Sequence, residues 1–175
     1  MRIPYRRKFQ DYWETQSIYG ITKRDGEEAI KAILTSHFII RTSWLYSQFA
    51  NNFMKTMLKL ASERSELKVV NDQKGTPTNA VDLAHAIVKI ILSGSKTYGT
   101  YHFSNEGEAT WYEFAREIFQ QNNCKTNLYP ITSAEFPTPA KRPSYSVLDK
   151  SKIKNQFGIE ILSWQDSLQQ ISPQF

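Results

Sequence analysis

The chain of 175 residues is long enough for one domain, or for one domain and part of another. Hydrophobic residues make up 40% of it and charged residues 22%, an ordinary globular composition that excludes wholesale disorder. Lysine and arginine outnumber aspartate and glutamate by 22 to 17, which favours anionic partners such as a nucleotide, a diphosphate or a nucleic acid.

The sequence carries no signal for a membrane or a secretory route. No apolar run approaches the ~18 residues that a membrane-spanning helix needs. The basic residues after Met1 are followed by no apolar segment, so a secretory signal is not predicted. Because Cys124 is the only cysteine, an internal disulfide is excluded, and a reducing, cytoplasmic setting is the expectation.

The first half of the chain alternates between predicted helices and strands. Apolar spacing predicts helices over residues 19–36 and 52–64, and β-branched and aromatic runs predict strands over 37–46 and 67–70. A further helix is predicted to begin at a cap formed by Thr78 or Asn79 and to end near Ser93. Its buried side is expected to consist of Val81, Ala84, Ile87, Val88 and Ile91.

The second half continues the alternation. Strands are predicted over residues 98–104 and 128–131, and Thr110 with Glu113 predicts a capping box for a helix that ends at Gln121. The prolines that follow predict a stiff, extended loop as far as Arg142. Two short helices are then expected, one capped by Asp149 and one that begins at Ser163 and Asp166. The alternation indicates an α/β architecture that is partly parallel.

Two phosphate-binding motifs are absent from the sequence. It contains neither G-x-G-x-x-G nor G-x-x-x-x-G-K-[ST], and its 7 glycines are scattered. A turn that cradles a dinucleotide pyrophosphate is therefore not predicted in this chain.

Tyr19 and Lys23 lie four residues apart at the start of the first predicted helix, so they share one face of it. A nearby ammonium favours the phenolate and lowers the pKa of a tyrosine, which then becomes a useful proton donor to a carbonyl oxygen. The same spacing also occurs by chance in solvated helices, so the pair alone leaves a surface role open.

The surrounding motifs are more specific than this pair, and together they resemble one enzyme family. In chain order they are Tyr19-Gly20-Ile21-Thr22-Lys23 with Glu27, Arg41-Thr42-Ser43-Trp44, Asn52-Phe53, Val70-Asn71-Asp72-Gln73-Lys74-Gly75-Thr76-Pro77-Thr78, Tyr101-His102-Phe103-Ser104-Asn105, Thr110-Trp111-Tyr112-Glu113 and Pro137-Thr138-Pro139-Ala140-Lys141-Arg142-Pro143. Residues 17–170 resemble the C-terminal part of the dTDP-4-dehydrorhamnose reductases, which belong to the extended short-chain dehydrogenases/reductases.

The resemblance implies reduction of the 4-keto group of dTDP-4-dehydro-L-rhamnose with NADPH or NADH. It implies that Tyr19 donates the proton, and that Lys23 tunes Tyr19 and binds the nicotinamide ribose. It also implies that Trp44 contacts the sugar. Four further positions are expected to line the nucleotide-diphosphate pocket: Asn52, Gln73, Thr76 and Arg142. Alternatives remain open for four of these residues, namely a core indole for Trp44, turn chemistry for Gln73 and Thr76, and a solvated charge for Arg142.

The same resemblance gives the expected fold and domains. It implies a partial Rossmann-like fold, with an atypical segment at 1–16, the catalytic helix and following strand at 17–50, and a sugar-nucleotide-binding subdomain at 51–175. The family's N-terminal half of about 110 residues, with its glycine-rich turn, has no counterpart in this sequence. The chain is therefore expected to be an excised piece, a product of a shortened reading frame, or a half that needs a partner. Its expected partners are a dTDP-sugar and either a second copy of the chain, as a homodimer, or the missing N-terminal half.

Two other functions compete with the enzyme. The first is a non-catalytic sugar-nucleotide-binding or regulatory module, as in the related regulatory subunit of methionine adenosyltransferase. The second is a nucleic-acid binder, suggested by Arg2, Arg6, Arg7 and Lys8, but the basic cluster is short and no nucleic-acid motif accompanies it. The three histidines lack metal-ligand spacing, so no metal site is predicted. Arg41 lies inside a strand, where it is expected either to be paired or to be functional.

Overall fold

A computed structural model describes residues 18–138 and 142–171. Within those residues the helices are α1 (Ile18–Ile33), α2 (Phe53–Glu63), α3 (Ala80–Leu92), α4 (Trp111–Gln121), α5 (Ser151–Phe157) and α6 (Trp164–Gln169). The strands are β1 (Phe38–Arg41), β2 (Leu45–Tyr46), β3 (Glu66–Val70), β4 (Lys74–Gly75), β5 (Thr78–Asn79), β6 (Gly99–His102), β7 (Ala109–Thr110) and β8 (Asn127–Ile131). The basic residues of the N-terminal segment lie outside the described part of the chain.

The strands form four pairs, and three of the pairs are parallel. β1 pairs with β6, β2 with β5 and β3 with β8 in parallel, whereas β4 and β7 are antiparallel. Parallel partners must be joined by long crossover connections, and helices supply them here. The predicted α/β, partly parallel architecture is therefore confirmed for the described residues.

Buried side chains gather in two hydrophobic clusters. The first joins α2, β3, α4 and α6, and its fully buried members include Met54, Phe114, Ile118 and Leu168. The second joins α3, β6 and α5, and the half-buried Phe38 and Ile40 of β1 pack against it. Residues that follow position 51 thus contribute to the same cluster as β1, and the predicted domain boundary near residue 50 stays a prediction.

A buried hydrogen-bond network joins elements of the two clusters. The Asn105 side chain accepts from the backbone N–H of Asn79 at 2.8 Å and donates to the Asp82 carboxylate at 2.6 Å. The Ser167 hydroxyl of α6 donates to the same carboxylate, and the Ser167 carbonyl accepts from the Asn79 amide at 3.2 Å. This network fixes the start of α3 against α6.

The sequence located most helix starts correctly, because capping is a local interaction. Asn52, Asn79 and Ser163 accept backbone N–H groups at the starts of α2, α3 and α6, and the capping box between Thr110 and Glu113 is present. At α5 the cap position is Lys150, one residue beyond the prediction, although the Asp149 carboxylate accepts from the Ser151 N–H at 2.9 Å.

Two predictions about elements were wrong. The strand predicted over residues 37–46 is split into β1 and β2, because Trp44 takes a left-handed backbone conformation with φ of 47°. The buried side predicted for α3 is exposed, with Val88 at 50% and Ile91 at 68% of their full accessibility. Instead α3 packs through Ala86 and Ile90.

Candidate functional site

A cleft of about 220 Å³ brings together two of the predicted site residues. Gln73 and Arg142 are 69 positions apart in the sequence, yet both line this cleft. The aromatic side chains of Phe53, Trp111 and Phe136 form much of its wall, and the remaining lining residues are Met57, Lys68, Val69, Val70 and Thr138. The cleft thus combines flat apolar surfaces with a guanidinium and an amide.

Gln73 is held by the loop that follows β8. Its side-chain Nε2 donates to the Ser133 hydroxyl at 2.8 Å. The neighbouring Asp72 carboxylate accepts from the Ser133 backbone N–H at 2.9 Å and from its hydroxyl at 2.6 Å. These bonds to Ser133 hold the pKa of Asp72 below its usual range. The loop that carries Phe136 is thereby fastened to the β3–β4 connection.

Arg142 is placed by a second attachment to β4. The Lys74 backbone N–H donates to the Ser144 carbonyl, and the Ser146 N–H donates to the Lys74 carbonyl, both at 2.8 Å. The Tyr145 hydroxyl adds a bond of 2.7 Å to the Glu108 carboxylate. The segment that follows Arg142 is therefore held beside β4 by a parallel bridge between Tyr145 and Lys74, and Arg142 itself lines the cleft.

Trp44 is half-buried and stacks on Trp111. The ring centroids are 3.6 Å apart and the planes differ by 11°. Trp111 in turn contacts Phe53, with 4.6 Å between their centroids. Trp44 is thus neither a sealed core residue nor isolated on the surface; it lies directly behind one wall of the cleft.

Asn52 and Thr76 make local structural contacts. The Asn52 side chain caps α2 by accepting from the Lys55 N–H at 3.2 Å, and its amide donates to the Ser47 carbonyl at 2.7 Å. Thr76 is fully buried, and its hydroxyl donates to the Gly107 carbonyl at 2.8 Å. Neither residue is among those that line the cleft. Their predicted contacts with a ligand stay predictions.

Tyr19 and Lys23 share the same face of α1, as their spacing predicted. The Lys23 ammonium lies 5.6 Å from the centroid of the Tyr19 ring, and Tyr19 is 73% exposed. Within the described residues, α1 has no buried side chain of its own and contributes no side chain to the cleft. The phenol and the ammonium are accessible to a ligand that approaches α1.

An ion pair attaches α1 to β1 and explains Arg41. The Arg41 guanidinium donates through Nε to the Glu27 carboxylate at 2.7 Å, and a second nitrogen donates to the other carboxylate oxygen. This bidentate pairing raises the pKa of Arg41, although burial opposes the shift. Arg41 was expected to be either paired or functional, and the structure shows it paired with Glu27. It also gives Glu27, the last residue of the first motif, a role in holding α1.

Sequence reasoning missed residues that line the cleft, and it missed Ser133, which accepts a hydrogen bond from Gln73. Trp111, Phe53 and Ser133 were not proposed as site residues, although Trp111 and Phe53 stand in motifs that carried the family resemblance. A tryptophan at the first position of a helix with a predicted capping box was the signal available for Trp111. Ser133 had no signal, because its role depends on contacts with Asp72 and Gln73 from a distant segment.

The other titratable groups do not form a site in the described part of the chain. Burial, followed by the charge of Arg41, lowers the pKa of His102, and burial raises the pKa of Cys124. Among residues 18–138 and 142–171 no group of three His, Cys, Asp or Glu side chains could hold a metal ion. None of the helices described is long and apolar enough to cross a membrane.

A family model described as the RmlD substrate binding domain matches residues 4–175. The chain is 40% identical over 164 residues to a dTDP-4-dehydrorhamnose reductase of Sinorhizobium fredii, covering 89% of this chain and 55% of that protein. It is 41% identical over 167 residues to the spore coat polysaccharide biosynthesis protein SpsK of Bacillus subtilis, covering 95% of this chain and 57% of the relative.

The chain is also similar to solved structures of dTDP-4-dehydrorhamnose reductases. A dTDP-4-dehydrorhamnose reductase of Clostridium acetobutylicum matches with a TM-score of 0.89 and 43% identity, over 98% of this chain and 59% of that one. The reductase of Bacillus anthracis, solved in complex with NADP, matches with a TM-score of 0.83 and 42% identity, over 89% and 54%. The predicted partly Rossmann-like α/β fold is thereby confirmed. The chain spans just over half the length of these relatives.

Proposed function

Because the chain belongs to the RmlD substrate binding domain family, we propose that it forms the sugar-nucleotide-binding half of a dTDP-4-dehydrorhamnose reductase. In this role it binds a dTDP-linked 4-keto sugar and contributes the proton donor for reduction of the keto group. The product is dTDP-L-rhamnose, a precursor for cell-surface polysaccharides.

The cleft that contains Gln73 and Arg142 carries this proposal, since two residues that the family resemblance assigns to a nucleotide-diphosphate pocket line it together. A guanidinium suits a diphosphate because its planar fork donates to two oxygens at once and keeps its charge. The flat rings of Phe53 and Trp111 suit a pyrimidine base, because aromatic side chains stack on the faces of bases. Lys68, at the same cleft, adds positive charge.

Tyr19 and Lys23 are proposed to act at the sugar carbonyl. Tyr19 donates a proton to the carbonyl oxygen, and the Lys23 ammonium stabilises the phenolate that is left. Their accessibility and the 5.6 Å between the ammonium and the ring fit this role. The bidentate pair between Glu27 and Arg41 holds the helix on which both residues stand.

A reduced nicotinamide cofactor, NADPH or NADH, would supply the hydride for this reduction. In this chain Lys23 and Tyr19 are the groups suited to its nicotinamide ribose, because they are exposed donors on one helix face. The sequence offers no glycine-rich turn for the pyrophosphate. The 175-residue polypeptide by itself is therefore expected to bind the cofactor poorly and to turn over little.

Turnover tests the catalytic part of the proposal. NADPH oxidation with dTDP-4-dehydrorhamnose is measured for the polypeptide alone and after addition of the portion of the Clostridium acetobutylicum reductase that the chain does not match. We expect activity only in the mixture, and a loss of about 10²- to 10⁴-fold in Tyr19→Phe, because general-acid catalysis contributes that much. Tyr129→Phe, which changes an exposed tyrosine of β8, serves as the control. A Tyr19→Phe mixture as active as the original would refute the role of Tyr19 and favour the non-catalytic binding module.

A further inference from the structure

The Ser133 hydroxyl has a single proton, and the Asp72 carboxylate binds it. Ser133 Oγ lies 2.6 Å from Oδ1 of Asp72, and the Ser133 backbone N–H donates to the two carboxylate oxygens at 3.0 Å and 2.9 Å. These bonds keep the pKa of Asp72 below its usual range, so the carboxylate is ionised near neutral pH and has no proton of its own to donate. The hydrogen bond between the two side chains therefore runs in one direction only, from Ser133 to Asp72.

This direction determines the orientation of the Gln73 amide. Because its proton is engaged by Asp72, Ser133 Oγ is left as an acceptor toward Gln73, from which it lies 2.8 Å. The two ends of a glutamine amide have nearly the same shape, but only the Nε2 end donates. The reverse orientation would place two unprotonated oxygens against each other. The charge of Asp72 thus acts through Ser133 to fix which end of the Gln73 amide faces the loop.

The Oε1 end of the Gln73 amide is left for a ligand. Gln73 lines the cleft and Ser133 does not, so Nε2 is directed toward a residue outside the lining and Oε1 lies on the other branch of the amide. In the part of the chain that the structure describes, no group donates a hydrogen bond to Oε1. Lys68 and Arg142, the charged residues of the lining, carry donors only. Gln73 therefore adds an acceptor to a cleft whose charged groups are all donors.

We infer that Gln73 Oε1 selects a pyrimidine base that carries an N–H at N3, as thymine and uracil do, and that Ser133 is the positioning residue for this selection. A base stacked on Phe53 or Trp111 turns its edge toward the other lining residues, and its N3–H can then donate to Oε1. Cytosine has an unprotonated N3, which would face Oε1 lone pair against lone pair. The inference rests on the proposed function.

Calorimetric titration with dUDP and with dCDP tests the selection, because these two nucleotides differ only at the base edge and neither carries a hexose. We expect the original chain to bind dUDP about tenfold more tightly than dCDP. In Ser133→Ala the Gln73 amide is free to turn its Nε2 toward cytosine, so the preference should decrease to less than about threefold. Ser133→Thr keeps the hydroxyl and should restore it. Ser62→Ala, at an exposed serine of α2 outside the cleft, is the control.

A second variant tests the link to Asp72. Asp72→Ala keeps the serine but removes the acceptor of its proton, so the hydroxyl can donate to Gln73 Oε1 and the preference for dUDP should also decrease. If Ser133→Ala or Asp72→Ala lowers the affinity for both nucleotides equally and keeps the preference, the contacts of Ser133 are merely structural and the inference is overturned. Equal affinity of the original chain for dUDP and dCDP would overturn it as well, and would leave the proposed function standing.

Nuclear magnetic resonance of the Gln73 side-chain amide tests its orientation without any ligand. One Nε2 proton is hydrogen-bonded to Ser133 in the original chain, and its resonance should move toward that of a solvated glutamine in Ser133→Ala. An unchanged Gln73 resonance in Ser133→Ala would overturn the inference. If the original chain binds neither nucleotide, the proposed function is refuted, and the amide resonance still decides whether Ser133 orients Gln73.

Discussion

At the scale of single residues, Asn52 illustrates how a site prediction and a structural role can fall on one side chain. Its oxygen caps α2 and its amide donates to the Ser47 and Phe49 carbonyls, at 2.7 Å and 3.3 Å. These bonds join Asn52 to the turn that precedes α2 and to the first turn of α2 itself. The residue therefore stabilises the start of α2, next to Phe53 of the cleft wall.

We predict that Asn52→Ala lowers the free energy of unfolding by about 1–2 kcal/mol, because a helix cap is lost. Urea unfolding followed by circular dichroism measures this change. The adjacent Asn51, which is exposed, provides the control, and Asn51→Ala should unfold like the original chain. Equal stability of the two variants would contradict the capping role, whereas a normal stability with lost dTDP affinity would favour a direct ligand contact.

The residue-level predictions succeeded where the chemistry was local. Caps at Asn79 and Thr110, and the shared face of Tyr19 and Lys23, follow from local sequence alone. The proximity of Gln73 and Arg142 came from the family resemblance, since no local rule relates residues so far apart. The stack between Trp44 and Trp111 could not be foreseen, because it depends on a left-handed turn at one residue and a missing side chain at Gly75.

At the scale of elements, α3 is the clearest case of a misplaced face. Apolar residues occupy most of its circumference, so hydrophobicity did not tell which side meets the rest of the fold. The side that packs contains Ala86 and Ile90, which contact the cluster of Tyr101 and Phe103. The order of the strands could not be predicted from the sequence either, because pairings such as β1 with β6 join segments about 60 residues apart.

Neighbouring isoleucines test the observed face of α3. Ile90 is 2% exposed and Ile91 is 68% exposed. We predict that Ile90→Ala lowers the free energy of unfolding by about 2–5 kcal/mol, because it leaves a cavity in the second cluster. Ile91→Ala should change it by less than about 0.5 kcal/mol. Thermal or urea unfolding measures the free energy of unfolding of both variants. A larger decrease in Ile91→Ala than in Ile90→Ala would show that the face predicted from the sequence is the buried one.

At the scale of the whole molecule, two clusters and one buried network hold the described residues together. The network of Asn79, Asp82, Asn105 and Ser167 connects the helix of one cluster with the last helix of the other. The chain matches just over half the length of its relatives. The exposed apolar side of α3 and the exposed face of α1 are among the apolar surfaces that the described residues leave uncovered.

The pH dependence of stability is predicted from His102. Burial first, and then the charge of Arg41, lower the pKa of His102 below its ordinary value of 6.5, while Asp149 and Glu27 oppose the shift. The unfolded chain therefore binds a proton at this residue at a higher pH than the folded chain does. Stability should consequently fall as the pH decreases below about 6.5.

The midpoint of thermal unfolding, measured from about pH 7.5 down to about pH 5.5, checks this dependence. In this range the carboxylates with lowered pKa, such as Asp72 and Glu106, remain ionised in both states. His102→Gln should flatten the decrease, and His85→Gln, which changes an exposed histidine, should leave it intact. An unchanged decrease in His102→Gln would assign the effect to another group.

Binding of dTDP tests most directly whether the cleft recognises a nucleotide. Calorimetric titration of the polypeptide should give saturable, one-site binding at up to millimolar dTDP. Arg142→Ala should weaken this binding by about tenfold or more, because a bidentate charged contact is lost, and Arg142→Lys should restore only part of it. Arg116→Ala, a change at an exposed arginine of α4, should bind like the original chain. Absence of binding at millimolar dTDP, or an Arg142→Ala variant that binds as tightly as the original, would contradict a nucleotide site in this cleft.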